Sequence, residues 1–229
     1  MNERPVALVT GASRGIGLAI ARRLADSHHI LVGGRTDEAV RPVVDELPSA
    51  APFVCELTDE RGTAEAVAMV ERLDVLIHSA GIGRSGDVGE STREQWREVF
   101  ELNVFAVADL TRLLLPRLRE ARGQVITINS GSGFHSGPGG GLYSGSKFAL
   151  RALTDALREE ERGTVRVSSI HPGRVDTDMQ VELQAEKGRP YVAEEHLRPE
   201  SVAEAVALAV YASPEAMVEE LSIRPVFKA

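Results

Sequence analysis

The feature that most constrains this chain is a regular alternation of two patterns. Short, continuous apolar runs alternate with longer segments whose apolar residues recur at helical spacing. Val6–Thr10, His29–Gly33, Pro52–Glu56 and Leu73–His78 read as strands, and Arg14–Ser27, Thr36–Leu47 and Glu60–Arg72 as the helices between them. A strand that is apolar throughout must be covered on both faces. Strands separated by helices run parallel, because each crossover returns the chain to the same end of the sheet.

The second half continues the pattern. A loop spans Ala80 to Glu90. Thr92, with Gln95 at capping-box spacing, begins a long helix that runs to about Leu115, where Pro116 is expected to end or bend it. Gln124–Asn129 is a fifth strand, Gly131–Gly141 a loop rich in glycine and serine, Tyr143–Arg162 a helix and Val165–His171 a sixth strand. Asp176–Arg198 is polar and irregular and receives no element. Pro199–Tyr211 is helical, and Glu220–Val226 is a last edge strand. No repeat or linker interrupts the chain. Residues 1–229 therefore read as one α/β domain: doubly wound and Rossmann-like, with a mostly parallel seven-stranded sheet and helices on both faces.

Composition narrows the function. Aromatic residues make up 4% of the chain, and small aliphatics dominate, which favours helices packed closely on a sheet. The net charge of −8 argues against a nucleic-acid partner. Cys55 is the single cysteine, so an intrachain disulfide is excluded. The scattered histidines lack ligand spacing, and no metal is expected. No apolar run has the length of a membrane span, and no charged-then-apolar leader opens the sequence. A cytoplasmic location without a membrane partner is the expectation.

Between the first strand and first helix lies Thr10-Gly11-Ala12-Ser13-Arg14-Gly15-Ile16-Gly17. A glycine-rich turn there lets the backbone approach a pyrophosphate, and the helix N-terminus presents free N–H groups to it. No Gly-Lys-Ser/Thr follows, so it is not a P-loop. The tip of the second strand separates NAD from NADP: an acidic residue there accepts ribose hydroxyls, while an arginine pairs with the 2′-phosphate. This strand ends Gly33-Gly34-Arg35, and Arg14 reaches the same corner, which favours NADP(H) over NAD(H). Asp37 is the rival. Two residues further on, it more simply supports the next helix, with Thr36 as cap.

Tyr143-Ser144-Gly145-Ser146-Lys147 places a phenol and an ammonium on one helix face. A phenol titrates near pH 10 in water, and a nearby cation favours the phenolate, preparing Tyr143 to exchange a proton with an alcohol or carbonyl oxygen. With the glycine turn upstream and Ser130 at a strand end, the sequence resembles the short-chain dehydrogenase/reductase (SDR) family from about Val6 to Thr177, and more weakly to Val226. The family's glycine motif matches Gly11, Gly15 and Gly17. Its catalytic tetrad maps onto Asn103, Ser130, Tyr143 and Lys147, and its proline-glycine segment onto His171-Pro172-Gly173-Arg174-Val175-Asp176-Thr177.

The resemblance implies roles. Ser130 would steady the substrate oxygen, Lys147 would hold the nicotinamide ribose, and Asn103 would hold a relay water. Val175 and Thr177 would position the carboxamide, and Pro172 and Gly173 would shape the ring's pocket. It extends the cofactor set to Ser13, Ile16, Glu56, Leu57, Ala80 and Gly81. The chain departs from the family at His78-Ser79, where Asn-Asn is usual; His78 reads more simply as a strand-end histidine bonded to backbone than as catalytic. Ser132 competes with Ser130 but lies two residues too close to Tyr143. Phe134, His135, Leu142, Met179 and Tyr191 are candidate substrate contacts.

The function these features imply is NADP(H)-dependent hydride transfer between nicotinamide and a carbonyl/alcohol carbon of a small organic substrate, with Tyr143 as general acid/base, acting as a ketone or aldehyde reductase. The alternative is a catalytically silent NADP(H)-binding sensor or scaffold, which typically lacks the tyrosine or lysine. A nucleotide-sugar epimerase or dehydratase would need a larger C-terminal region. A homo-oligomer, tetramer or dimer, is implied by the resemblance.

Overall fold

The computed structural model describes residues 4–186, 188 and 190–226; residues 1–3, 187, 189 and 227–229, two of them inside the stretch left without an element, lie outside the described residues. The strands are β1 (Val6–Val9), β2 (His29–Gly34), β3 (Ala50–Val54), β4 (Val75–His78), β5 (Gln124–Ile128), β6 (Arg166–Pro172) and β7 (Glu220–Ile223). The helices are α1 (Gly15–Leu24), α2 (Asp37–Glu46), α3 (Glu60–Ala68), α4 (Arg93–Phe100), α5 (Ala106–Ala121), α6 (Gly141–Glu160), α7 (Asp178–Glu186) and α8 (Pro199–Val210). The strands form one sheet in the order β3-β2-β1-β4-β5-β6-β7, and every pairing is parallel. This is the Rossmann-like architecture expected, with the "mostly" removed.

Strand alternation distributes the core. Ala7, Val9, Ile30, Val32 and Ile77 face one layer, where they meet Ile20 and Leu24 of α1, Val40 of α2 and Val202 and Val206 of α8. Leu8, Leu76, Val125 and Val167 face the other, where they meet Leu110, Leu114 and Leu118 of α5 and Leu157 of α6. The three α5 leucines are spaced four apart and fully buried; each contributes about 1.5–3 kcal/mol by leaving water.

Several boundaries differ from the sequence reading. Pro116 does not end its helix, and α5 continues to Ala121. Pro116 and Arg112, whose carbonyl loses its partner to the proline, are both exposed residues on the outer face of the helix. The long helix is two helices joined by a π-turn at Glu101–Phe105. The Thr92–Gln95 capping box is present in both directions. The unassigned polar stretch contains α7 and a short 3₁₀ turn, Ala193–Glu195. On α7, Met179 and Leu183 are half-buried while Val181 is exposed, so the helix carries no continuous apolar stripe to read. β3 begins two residues earlier than expected because its pairing with β2 runs from Ile30↔Ala50 to Gly34↔Val54.

After β3 the chain crosses to the far side of β1, so β1 and β4 are neighbours whose connections leave in opposite directions. A crevice opens at their carboxyl ends, the place where open α/β sheets bind ligands.

Candidate active site

The glycine turn fills the floor of that crevice. Gly11 sits at φ +63°, and a Cβ there would come within 2.9 Å of the Ala80 Cα. A Cβ on Gly17 would lie 2.3 Å from the Gly11 carbonyl oxygen, so any side chain would push the turn off α1. Arg14, the residue capping α1, makes no capping bond with its side chain, and the first turn carries no acidic residue. The N–H groups at the start of α1 are therefore left for a ligand.

The cleft has a volume of about 310 Å³. Gly11, Ser13, Arg14, Gly15, Ile16, Gly17, Arg35, Glu56, Leu57, Ala80, Gly81 and Thr177, all expected from the sequence, line it. Pro172, Gly173, Val175, Tyr143 and Lys147 do not. The cleft also takes in Gly33, Gly34, Phe53, Cys55, Ile82 and Leu102, which sequence reasoning did not assign to the cofactor. Arg35 is exposed at the rim. Arg14 pairs with Asp178 at the start of α7, at 2.8 Å. Asp37 pairs with Arg41 of its own helix, and Thr36 caps that helix, as the simpler reading has it.

Thr10 escaped the sequence reading. Its Oγ1 accepts from the N–H groups of Ser79 and Ala80, both at 3.0 Å, and so ties the loop after β4 to the end of β1. His78 is buried, and its Nε2 meets the Thr111 hydroxyl at 2.8 Å. Its partner is thus a side chain on α5 and not the backbone expected. Burial pushes its pKa down to about 3, so the ring is neutral.

Beside the cleft wall, Asn103, Ser130, Tyr143 and Lys147, all expected from the sequence, come together. The Asn103 amide, in the π-turn, accepts from the Ile82 N–H and donates to the Ile82 carbonyl, both at 2.9 Å, and donates to Ser146 Oγ at 3.0 Å. Ser146 Oγ in turn donates to the Tyr143 carbonyl at 2.8 Å. A chain of bonds thus runs from the cleft wall to the first turn of α6. Ser146 stands in the quoted Tyr-Lys segment, yet nothing in a linear pattern marks its role. The amide of Asn103 spends both donors on this brace, so a water there has to use the remaining lone pair of Oδ1 or the main-chain carbonyl.

Tyr143 is half-buried. Burial pushes its phenol up from its usual value, and a hydrogen bond with the Ser130 side chain works against that rise. Lys147 Nζ lies 5.6 Å from the centre of the Tyr143 ring and donates to the Ile128 carbonyl at 2.9 Å. Its burial lowers its pKa to about 8. The Ser130 N–H donates to Asn129 Oδ1 at 2.9 Å, and Ser130 Oγ accepts from the Ser132 N–H at 3.1 Å. The Ser130 hydroxyl proton is the one directed at the Tyr143 oxygen.

Of the candidate substrate contacts, Met179 lines the cleft and packs close to Gly83. Leu142 is buried in the core and His135 is exposed. Phe134 packs at a tilt against His171, and the Tyr191 hydroxyl bonds to Asp176. Among the described residues no group of three or more potential ligands could hold a metal ion, and no helix is long and apolar enough to cross a membrane.

The glycine-floored cleft lies at the sheet's switch point, and Asn103 and Ser146 link its wall at Ile82 to the turn that carries Tyr143. The chain belongs to the short chain dehydrogenase family, whose model matches residues 5–188, and is an oxidoreductase of that family. Among its relatives, dehydrogenase/reductase SDR family member 11 of Bos taurus is 33% identical over 243 residues, covering 96% of this chain and 95% of that protein. Farnesol dehydrogenase of Aedes aegypti is 34% identical over 239 residues, covering 96% of each. The solved alcohol dehydrogenase of the archaeon Thermococcus sibiricus, complexed with 5-hydroxy-NADP, superposes with a TM-score of 0.89 at 29% identity, covering 99% of both chains.

Proposed function

We propose that this protein is an NADP(H)-dependent carbonyl reductase in which Tyr143 is the general acid. The observation that carries the reading is the grouping of Tyr143, Ser130 and Lys147, joined through Ser146 and Asn103 to the wall of a cleft that Arg14 and Arg35 line. The cradle fits a dinucleotide: Gly11 and Gly17 leave no room for a side chain, and the α1 N-terminus is open to a pyrophosphate. NADPH, when bound, supplies the hydride. Arg14 and Arg35 would hold its 2′-phosphate through charge-assisted hydrogen bonds. Lys147 would hold the ribose near the nicotinamide, and Val175 and Thr177 the carboxamide.

The chain's own residues handle the proton. The Ser130 hydroxyl donates to the carbonyl oxygen of the substrate and steadies negative charge as it develops. Tyr143 then gives its phenolic proton to the same oxygen. Its burial favours the protonated phenol at neutral pH, the form a proton donor needs. The Lys147 ammonium, 5.6 Å from the centre of the Tyr143 ring, would lower the cost of the phenolate left behind. Asn103 keeps the loop after β4 and α6 at fixed separation. Met179, which lines the cleft, would give the substrate an apolar contact. A homo-oligomer through the α5 and α6 side belongs to the same reading, since Phe105 and Phe148 are exposed there.

The test is NADPH oxidation against a panel of aldehydes, ketones, β-ketoesters and quinones, with Tyr143→Phe beside the wild type. Turnover is expected to fall at least about 10²-fold in Tyr143→Phe, the lower range of general acid catalysis, with NADPH affinity nearly unchanged. Undiminished turnover in the variant refutes the proton assignment. NADPH binding without turnover across the panel favours a sensor or scaffold instead.

A further inference from the structure

We propose that His171 is a positioning residue for Ser130: its Nδ1–H ties the Ser130 carbonyl to the end of β6, while its other ring nitrogen faces Glu220 on β7. The inference rests on the role given to Ser130 above.

His171 precedes the Pro172-Gly173 turn and is fully buried. Its Nδ1 lies 3.0 Å from the Ser130 carbonyl oxygen. A carbonyl only accepts, so the proton is on Nδ1. In the neutral ring Nε2 is then a bare acceptor. It is buried without a hydrogen-bond partner among the described residues, and the Glu220 carboxylate stands 3.7 Å away. An Nε2–H tautomer would satisfy the Glu220 side, but it would turn a lone pair toward the Ser130 carbonyl. The geometry at Ser130 selects the first arrangement.

The ring cannot easily swing away. Phe134, four residues after Ser130, stacks on it with centroids 4.4 Å apart, and the Arg151 guanidinium lies 4.3 Å from the centre of the Phe134 ring. Arg224 donates to the main-chain carbonyl of His171. Its guanidinium also rests against Gly131, where a Cβ would come within 3.0 Å of it. Residues from β6, β7, α6 and the chain after β7 thus converge on the turn that carries Ser130. The N–H and Oγ of Ser130 are tied within their own turn, to Asn129 and Ser132. Its carbonyl is tied across the sheet, by His171. Releasing that bond lets the peptide rotate, and Oγ moves relative to Tyr143.

The charged groups facing the ring are Glu220 from β7, Arg151 from α6 and Arg224 from the segment after β7, with Asp155 sharing Arg151. Burial holds the imidazole below its usual pKa and the two guanidiniums act the same way, against the pull of the Ser130 carbonyl and Glu220. The ring is therefore neutral at pH 7, where the tautomer can be read.

The first measurement is independent of activity. Long-range ¹H–¹⁵N correlation spectra of histidine-labelled protein at pH 7, with the His171 signals identified by their loss in His171→Asn, are expected to show the Nδ1–H tautomer. An Nε2–H tautomer overturns the proposal whether or not the chain turns over any carbonyl. The second measurement uses reduction of ethyl acetoacetate by NADPH. The Asn amide nitrogen falls near Nδ1 of the ring it replaces, and the Gln amide nitrogen near Nε2. His171→Asn is expected to keep kcat within about threefold of wild type, whereas His171→Gln and His171→Leu lose tenfold or more with the KM for NADPH unchanged. A Gln variant that outperforms the Asn variant, or a folded Leu variant with full kcat, overturns it. If wild type does not reduce the β-ketoester, the reading of the substrate fails, and the tautomer still decides the anchor.

Discussion

Replacing Lys147 with Met keeps the length of the side chain and removes a buried cation. The wild-type ammonium is disfavoured in the folded protein, where its pKa is about 8 against 10.5 for the free side chain. Between those values the folded state binds fewer protons than the unfolded state, so stability rises with pH across that window. At about 1.4 kcal/mol per tenfold change in proton affinity, the buried charge costs the wild type about 3 kcal/mol at pH 7. At pH 10 most of the folded molecules hold a neutral amine, and the cost falls to about 1 kcal/mol by the same linkage. Lys147→Met has no such dependence. It also loses the bond to the Ile128 carbonyl, but that loss is nearly the same at both pH values. The stability difference between wild type and variant is therefore expected to move by roughly 2–3 kcal/mol in favour of the wild type from pH 7 to pH 10. Urea unfolding of cofactor-free protein, followed by the single tryptophan, measures it. Trp96 stands within 3.3 Å of where a Cβ on Gly145 would lie, so it reports the α4–α6 contact directly. A difference constant within about 0.5 kcal/mol across this range, the size of an ordinary surface effect, would refute the claim that Lys147 is a buried cation, and with it the proposed source of its influence on Tyr143.

Three other outcomes are expected. Arg35→Asp should weaken NADPH binding about tenfold to a hundredfold, the range for losing hydrogen bonds to a charged group, while NADH binding is spared; titration calorimetry with both cofactors checks it, and equal losses would place the phosphate elsewhere. Asp178→Asn frees Arg14 from an exposed ion pair, a contact of the kind worth about 0.2–1 kcal/mol. NADPH should bind up to about fivefold more tightly and NADH no differently; an unchanged NADPH affinity would mean that Asp178 does not compete for Arg14. His78 is held neutral with a pKa of about 3 against 6.5. Because the unfolded ring takes up protons first, stability falls as pH drops below 6.5. From pH 7 to pH 5 the wild type should lose about 2 kcal/mol relative to His78→Gln, and parallel unfolding curves for the two would show that the ring is not buried as a neutral group.

The elements that sequence could specify are those whose cause is local. The β/α alternation arises from strands apolar on both faces, and it predicts the parallel sheet. The Thr92–Gln95 box and the Thr36 cap need only neighbouring residues, and both are present. The positive φ of Gly11 and Gly15 belongs to a turn written in consecutive letters. Tyr143 and Lys147 share a helix face by spacing alone.

What required the folded molecule is every contact between the carboxyl ends of different strands. Thr10 reaches Ser79 and Ala80 because β1 lies beside β4, and His171 reaches Ser130 because β5 lies beside β6. Phe134, a candidate substrate contact by sequence, meets a histidine from β6 and an arginine from α6 that only the fold brings to its ring. Helix α7 has no apolar stripe of its own, and its placement comes from the glycine loop and the segment after β6. Periodicity and spacing carry information over one or two turns of chain. A hydrogen bond between residues brought together by strand order depends on the whole sheet, and no short stretch of sequence contains it.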